Sequence, residues 1–86
     1  MGVEEIKAFA FWDNKIEALT IPNSVKSIGE SAFRFNEIRI LNLPWSIKSI
    51  GATAFSFNSI SEVCIPKEIV NISKDAFDEN PTTIKI

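Results

Sequence analysis

The stretch Ile21–Phe33, IPNSVKSIGESAF, returns as Leu43–Phe55, LPWSIKSIGATAF, and again as Ile65–Phe77, IPKEIVNISKDAF. Each copy begins 22 residues after the one before it. Self-similarity at a fixed period of this size is the mark of stacked coils, in which one supersecondary unit buries its apolar face only against the next. Outward from this stretch the same step governs nearly the whole chain. Phe11, Phe33, Phe55 and Phe77 form one column, preceded by Ala10, Ala32, Ala54 and Ala76 and followed by Asn14, Asn36, Asn58 and Asn80. Val3, Val25, Ile47 and Ile69 form another, as do Ile6, Ile28, Ile50 and Ile72. Ile16, Ile38 and Ile60 open the units, and Pro22, Pro44 and Pro66 close the segment that follows.

Within a unit, LTI, LNL and VCI alternate inward and outward with period two, which predicts a short strand. The proline after it has no N–H to donate, so the ladder ends there. SVKSI predicts a second extended piece on the opposite wall. GESAF, GATAF and SKDAF begin with Gly or Ser, read as helix starts, and predict a short helical or 3-10 turn. The expected fold is an α/β solenoid of about four coils in one domain: a partial coil over 1–15, coils over 16–37, 38–59 and 60–81, and a partial coil over 82–86. The count slips once. TTIKI fits the strand pattern only if one residue is dropped, which places Ile84 and Ile86 as the next inward pair.

Composition bounds the function. The net charge is −2, so no basic field is present to hold nucleic acid. No run approaches the ~18 apolar residues of a membrane span. MGVEEIKAFAF carries two acids where a secretory signal needs a basic region, so the expectation is an intracellular chain or a mature or excised piece. Histidine is absent and there is one cysteine, Cys64, which excludes an internal disulfide and the commonest acid/base and metal ligand. No Gly-rich phosphate loop and no nucleophile elbow occur. The reading is therefore no enzyme, no cofactor and no metal.

The pattern I..L.LP..I..IG..AF..N, as it stands over Ile38–Asn58, resembles the BspA-like subclass of leucine-rich repeats, and the resemblance runs from Val3 to Asn80. It implies a right-handed solenoid with short parallel strands on its concave side. Many members of that family are bacterial or protist surface proteins implicated in adhesion, which implies a cell-surface or secreted setting and a protein partner. The family has no catalytic motif to carry over. Its members are usually longer, often with a signal peptide and other domains.

In a solenoid the columns that keep their residue type are structural, here the Phe and Asn columns. The Asn amides are expected to satisfy backbone groups in the tight turns between coils. Columns that vary and face outward can recognise a partner. Thr20, Asn42 and Cys64 lie between the inward strand positions, and Asn23, Trp45 and Lys67 follow the prolines. The middle coil thus presents Arg39, Ile40, Asn42 and Trp45, and Arg and Trp are enriched in binding hot spots. The candidate partner-binding residues are Arg39, Ile40, Asn42, Trp45, Thr20, Cys64 and Lys67. The alternatives are that Trp45 lies across its own coil and that Cys64 is an ordinary small residue. Trp12, Phe35 and Phe57 form a second group, in which Phe35 and Phe57 are expected to touch. Asp75, Asp78 and Glu79 are read as a solvated face, with Asp75 near a helix N-terminus. No polar cap covers either end, which predicts end-to-end or two-fold self-association. The functional expectation is a non-catalytic, adhesion-type protein-interaction module, with a structural or self-associating solenoid as the alternative.

Overall fold

The computed structural model of the chain describes residues 2–85. Eight short strands follow in order: β1 (Glu5–Ile6), β2 (Ala18–Thr20), β3 (Ser27–Ile28), β4 (Ile40–Asn42), β5 (Ser49–Ile50), β6 (Glu62–Cys64), β7 (Asn71–Ile72) and β8 (Thr83–Lys85). Every pairing among them is parallel. Parallel neighbours need a long crossover between them, and a 22-residue coil supplies it. One wall is a four-stranded sheet in the order β1-β3-β5-β7, with Ile6, Ile28, Ile50 and Ile72 in register. On the other wall β2 pairs with β4, Leu19 opposite Leu41. There β6 pairs with β8, Val63 opposite Ile84, so the step from Val63 to Ile84 is one residue short of the repeat. The one-residue slip read in TTIKI is present in the backbone register. Ile86 lies outside the described residues.

Between the walls the columns close into one core. The Phe rings stack with centroids 5.2, 5.3 and 5.3 Å apart and planes within 7° of parallel. Their spacing is close to that of adjacent strands, so one ring per coil forms a continuous seam. Phe33 and Phe55 are fully buried, whereas Phe11, with no coil on its outer side, is 44% exposed.

The expected short helical or 3-10 turns are not formed, and the described residues contain no helix. In a helix every N–H turns back along its own chain. Here only alternate ones do. Ala32 N–H donates to Gly29 O and Arg34 N–H to Ser31 O, both at 3.3 Å. The N–H groups of Ser31, Phe33 and Phe35 instead reach the next coil, to the carbonyls of Ala52, Ala54 and Ser56 at 2.9, 2.8 and 3.1 Å. Ser31 and Phe35 have φ of 54° and 60°, and Thr53 and Phe57 have 52° and 59°. A left-handed residue at these places stops helix propagation and swings alternate amides toward the neighbour. The chain is thus a solenoid of strands and tight turns, without the α component.

The glycines of GESAF and GATAF also act differently from the reading as helix starts. A Cβ on Gly29 would lie 2.6 Å from Ala8 N, and one on Gly51 2.8 Å from Glu30 N. They permit close approach of successive coils. At the third place stands Ser73, and its N–H to Ile50 O bond is 3.0 Å, against 2.8 Å for Gly29 to Ile6 and Gly51 to Ile28.

Candidate functional site

The strand pattern exposed, buried, exposed in β4 and β6 places Leu41 and Val63 in the core and turns Ile40, Asn42, Glu62 and Cys64 to solvent. Between β2 and β4 the outward side chains interlock. Arg39 Nη2 lies 3.1 Å from Glu17 Oε1, and Asn42 Nδ2 donates to Thr20 Oγ1 at 3.3 Å. The backbone ladder there extends past the strands, with Arg39 N–H to Glu17 O at 2.8 Å and Ile21 N–H to Asn42 O at 3.1 Å.

One coil further on, this ladder opens. β4 and β6 are not paired, so the wall expected as one concave sheet is two separate pairs. The corresponding flanking bonds, Ser61 N–H to Arg39 O and Leu43 N–H to Cys64 O, are also not made among the described residues. The opening is a groove of about 350 Å³ lined by Arg39, Ile40, Leu41, Asn42, Leu43, Ser61, Glu62 and Cys64. It brings together four of the candidate residues: Arg39, Ile40, Asn42 and Cys64. The other three stand elsewhere. Trp45 follows the buried Pro44 and is 72% exposed, clear of its own coil. Lys67, one step above Trp45, is exposed. Thr20 is tied to Asn42 and lines a depression at the first coil. Together the groove offers a guanidinium, an apolar side chain, an amide and a thiol. That set suits hydrogen bonding and apolar contact with a polypeptide.

A second surface runs along the turns. Phe35 stacks on Phe57 with centroids 4.8 Å apart, and Trp12 meets Phe35 edge-on at 6.3 Å. All three rings are partly exposed. The Arg34 guanidinium lies 4.8 Å from the Phe35 centroid and 5.5 Å from that of Phe57, within cation–π range. Arg34 was not legible as a partner of this row, because its column reads Trp12, Arg34, Ser56, Asp78 and keeps no residue type.

The Asn column forms a second seam beside the rings. Asn58 Nδ2 donates to Phe33 O and Phe55 O at 3.0 and 2.9 Å, while its Oδ1 accepts Ile38 N–H at 2.9 Å. Asn36 repeats this with Phe11 O, Phe33 O and Ile16 N–H. One side chain thus satisfies three main-chain groups of two coils.

Asp75 has no helix N-terminus beside it. Its Oδ1 accepts the Ser73 hydroxyl at 2.6 Å and Thr53 N–H at 3.1 Å. These bonds, the Ser73 hydroxyl first, hold its carboxyl below the usual aspartate range, against a small opposing effect of burial. Among the described residues no three acidic or cysteine side chains converge as a metal site would require. No helix in the described residues is long and apolar enough to cross a membrane.

Comparison with known proteins follows the same lines. No curated protein matches the sequence. Among solved structures the chain is similar to the pneumococcal vaccine antigen PcpA, with 27% identity and a TM-score of 0.83 over 95% of this chain and 21% of that one. It is also similar to a leucine-rich repeat protein from Bacteroides capillosus, with 27% identity and a TM-score of 0.78 over 94% of this chain and 64% of that one. The chain therefore spans about a fifth of the first and less than two thirds of the second. The model of the BspA type leucine rich repeat region matches residues 2–86 in six copies, where the 22-residue step reads about four coils. Leucine-rich repeats commonly mediate protein–protein interaction. The ring seam, the Asn seam and the match over residues 2–86 agree, and the chain belongs to the BspA-type leucine-rich repeat family.

Proposed function

We propose that the chain is a non-catalytic protein-binding module whose contact surface is the strand wall around β4 and β6. The observation that carries this reading is the opened ladder between these strands, which gathers Arg39, Ile40, Asn42 and Cys64, with Trp45 of the same coil exposed outside the groove. Arg39 and Asn42 are held in place from the other side by Glu17 and Thr20. At the opening Ile40 is 60% exposed. Arg39 and Trp45, both exposed on this coil, are of the residue types enriched in binding hot spots. An adhesion role at a cell surface is the finer reading, and likeness to a bacterial vaccine antigen supports it.

The test is capture of protein from cell-surface extracts by the immobilised chain, compared with the Arg39→Ala/Trp45→Ala double variant. Circular dichroism and a thermal melt serve as the check on fold. The expected result is at least about a tenfold loss of capture with an unchanged melt, since two hot-spot truncations cost upward of about 1–2 kcal/mol. Undiminished capture would move the contact surface elsewhere. The second reading is a structural or self-associating solenoid segment with no foreign ligand.

A further inference from the structure

We propose that the aromatic row along the turns is a second interaction surface, and that its partner is an extended basic polypeptide segment with an apolar side chain set between two lysines or arginines. The row stands apart from the groove between β4 and β6 and does not depend on it. Phe35 and Phe57 belong to inner coils, with a coil on either side, yet they are 38% and 42% exposed. Further repeats at either end would leave them so. Their φ angles are 60° and 59°, in a region that a bulky L side chain seldom enters. Gly or Asn would meet that geometry more easily. The stack of the two rings, 4.8 Å apart, offsets part of the strain. A large apolar ring held out in water where the backbone least favours it points to a use outside the fold.

Charge selects the occupant. The column through these rings reads Asp13, Phe35, Phe57, Glu79, and all four hold the same left-handed place in their turns, with φ between 58° and 61°. Asp13 and Glu79 are exposed, and neither enters an ion pair among the described residues. The cation of the row, Arg34, is engaged inside it: its guanidinium lies against Phe35 and Phe57, and its Nε is closed off from water. Trp12, edge-on to Phe35, widens the apolar part and is 46% exposed. The surface therefore presents aromatic carbon between two carboxylates, and both the carboxylate charge and the ring quadrupole attract a cation.

Spacing sets the form. Rings of neighbouring coils are 4.8 to 5.3 Å apart, so the three steps from Asp13 to Glu79 cover about 15 Å. On one face of an extended chain, residues i and i+4 stand about 13 Å apart, with i+2 between them. Two long basic side chains take up the difference. The order basic, any, apolar, any, basic thus sets the apolar side chain on the Phe35–Phe57 pair and one cation against each acid.

Titration of the isotope-labelled chain with the end-blocked peptide Lys-Thr-Leu-Thr-Lys, followed by NMR, tests this. The expected result is a saturable shift of the Trp12 indole N–H and of the Phe35 and Phe57 amides, half complete below about 5 mM at low salt and weaker as salt rises, with the Trp45 indole unmoved. Glu-Thr-Leu-Thr-Glu is expected to give no shift, and Lys-Lys-Thr-Leu-Thr, with the spacing broken, to bind at least about threefold more weakly. Phe35→Asn/Phe57→Asn keeps residues that suit a positive φ and is expected to weaken binding at least about fivefold. Should that variant not fold, the exposed pair Asp13→Lys/Glu79→Lys decides, and it is expected to abolish the shifts. No saturable shift, equal binding of the three peptides, shifts centred on Trp45, or undiminished binding in the folded variant overturns the proposal.

Discussion

Asn58 shows what one side chain does in this fold. It is buried and donates to carbonyls of two coils while accepting Ile38 N–H, so its removal leaves Ile38 N–H without a partner and takes from Phe33 O and Phe55 O one of the two amide bonds that each accepts. The orphaned amide costs about 1–3 kcal/mol and each of the two lost bonds about 1 kcal/mol. Asn58→Ala is expected to lower the unfolding free energy by about 3 kcal/mol or more in urea denaturation. Asn14→Ala is expected to lower it by less than about 1 kcal/mol, since Asn14 is exposed and bonds only Phe11 O and Trp12 O of its own turn. Equal losses in the two variants would contradict the role assigned to the seam. Asp75 belongs to the same scale. Its carboxyl is held below the ordinary value by the Ser73 hydroxyl and the Thr53 amide. A depressed value in the fold means that its contribution is present above the unfolded value and lost as pH falls through the folded one. Stability should therefore decline below about pH 4, and Asp75→Asn should flatten that decline in melts recorded from neutral to acid pH.

At the scale of the element, the turn after each glycine sets the pitch of the stack. Two left-handed residues per turn cost energy that an L side chain normally avoids, of order 1–2 kcal/mol each. The cost is offset because alternate amides then bond the next coil. Glu79 sits at the last such position with φ of 61° and is exposed, with its N–H making no bond among the described residues. Glu79→Gly is expected to raise stability by about 0.5–1 kcal/mol, read as a higher melting temperature. Gly51→Ala acts in the opposite sense. Its Cβ would stand 2.8 Å from the main chain of the coil below, which must give way, and the expected loss is about 1–3 kcal/mol. The strand elements divide differently on the two walls. The row from β1 to β7 is continuous, whereas the row through β4 and β6 is broken where the candidate site lies.

Over the whole molecule, order follows position in the stack. Phe33 and Phe55 are covered on both sides, and Phe11 on one. Repeat stacks gain stability from nearest-neighbour interfaces, so the end coils open first. Hydrogen exchange should show the amides of Phe33 and Gly51 as the slowest, and those of Phe9 and Phe11 as faster. Uniform protection along the chain would contradict a stack held by neighbour contacts.

The step of 22 determined the columns, the inward and outward faces of the strands, the parallel order of the coils and even the one-residue slip before Ile84. These follow from spacing alone, because a side chain that recurs at the period of a coil must lie above its predecessor. Three features were decided only in three dimensions. The turns are not helical, since left-handed φ at Ser31, Phe35, Thr53 and Phe57 is chosen by amides reaching a neighbouring coil, and local propensity carries no record of that neighbour. Gly29 and Gly51 answer to the distance between coils. The opening between β4 and β6 leaves no mark on the repeat, because no residue is inserted or lost there; whether two adjacent strands close their ladder depends on how the coils tilt, which is a property of the stack.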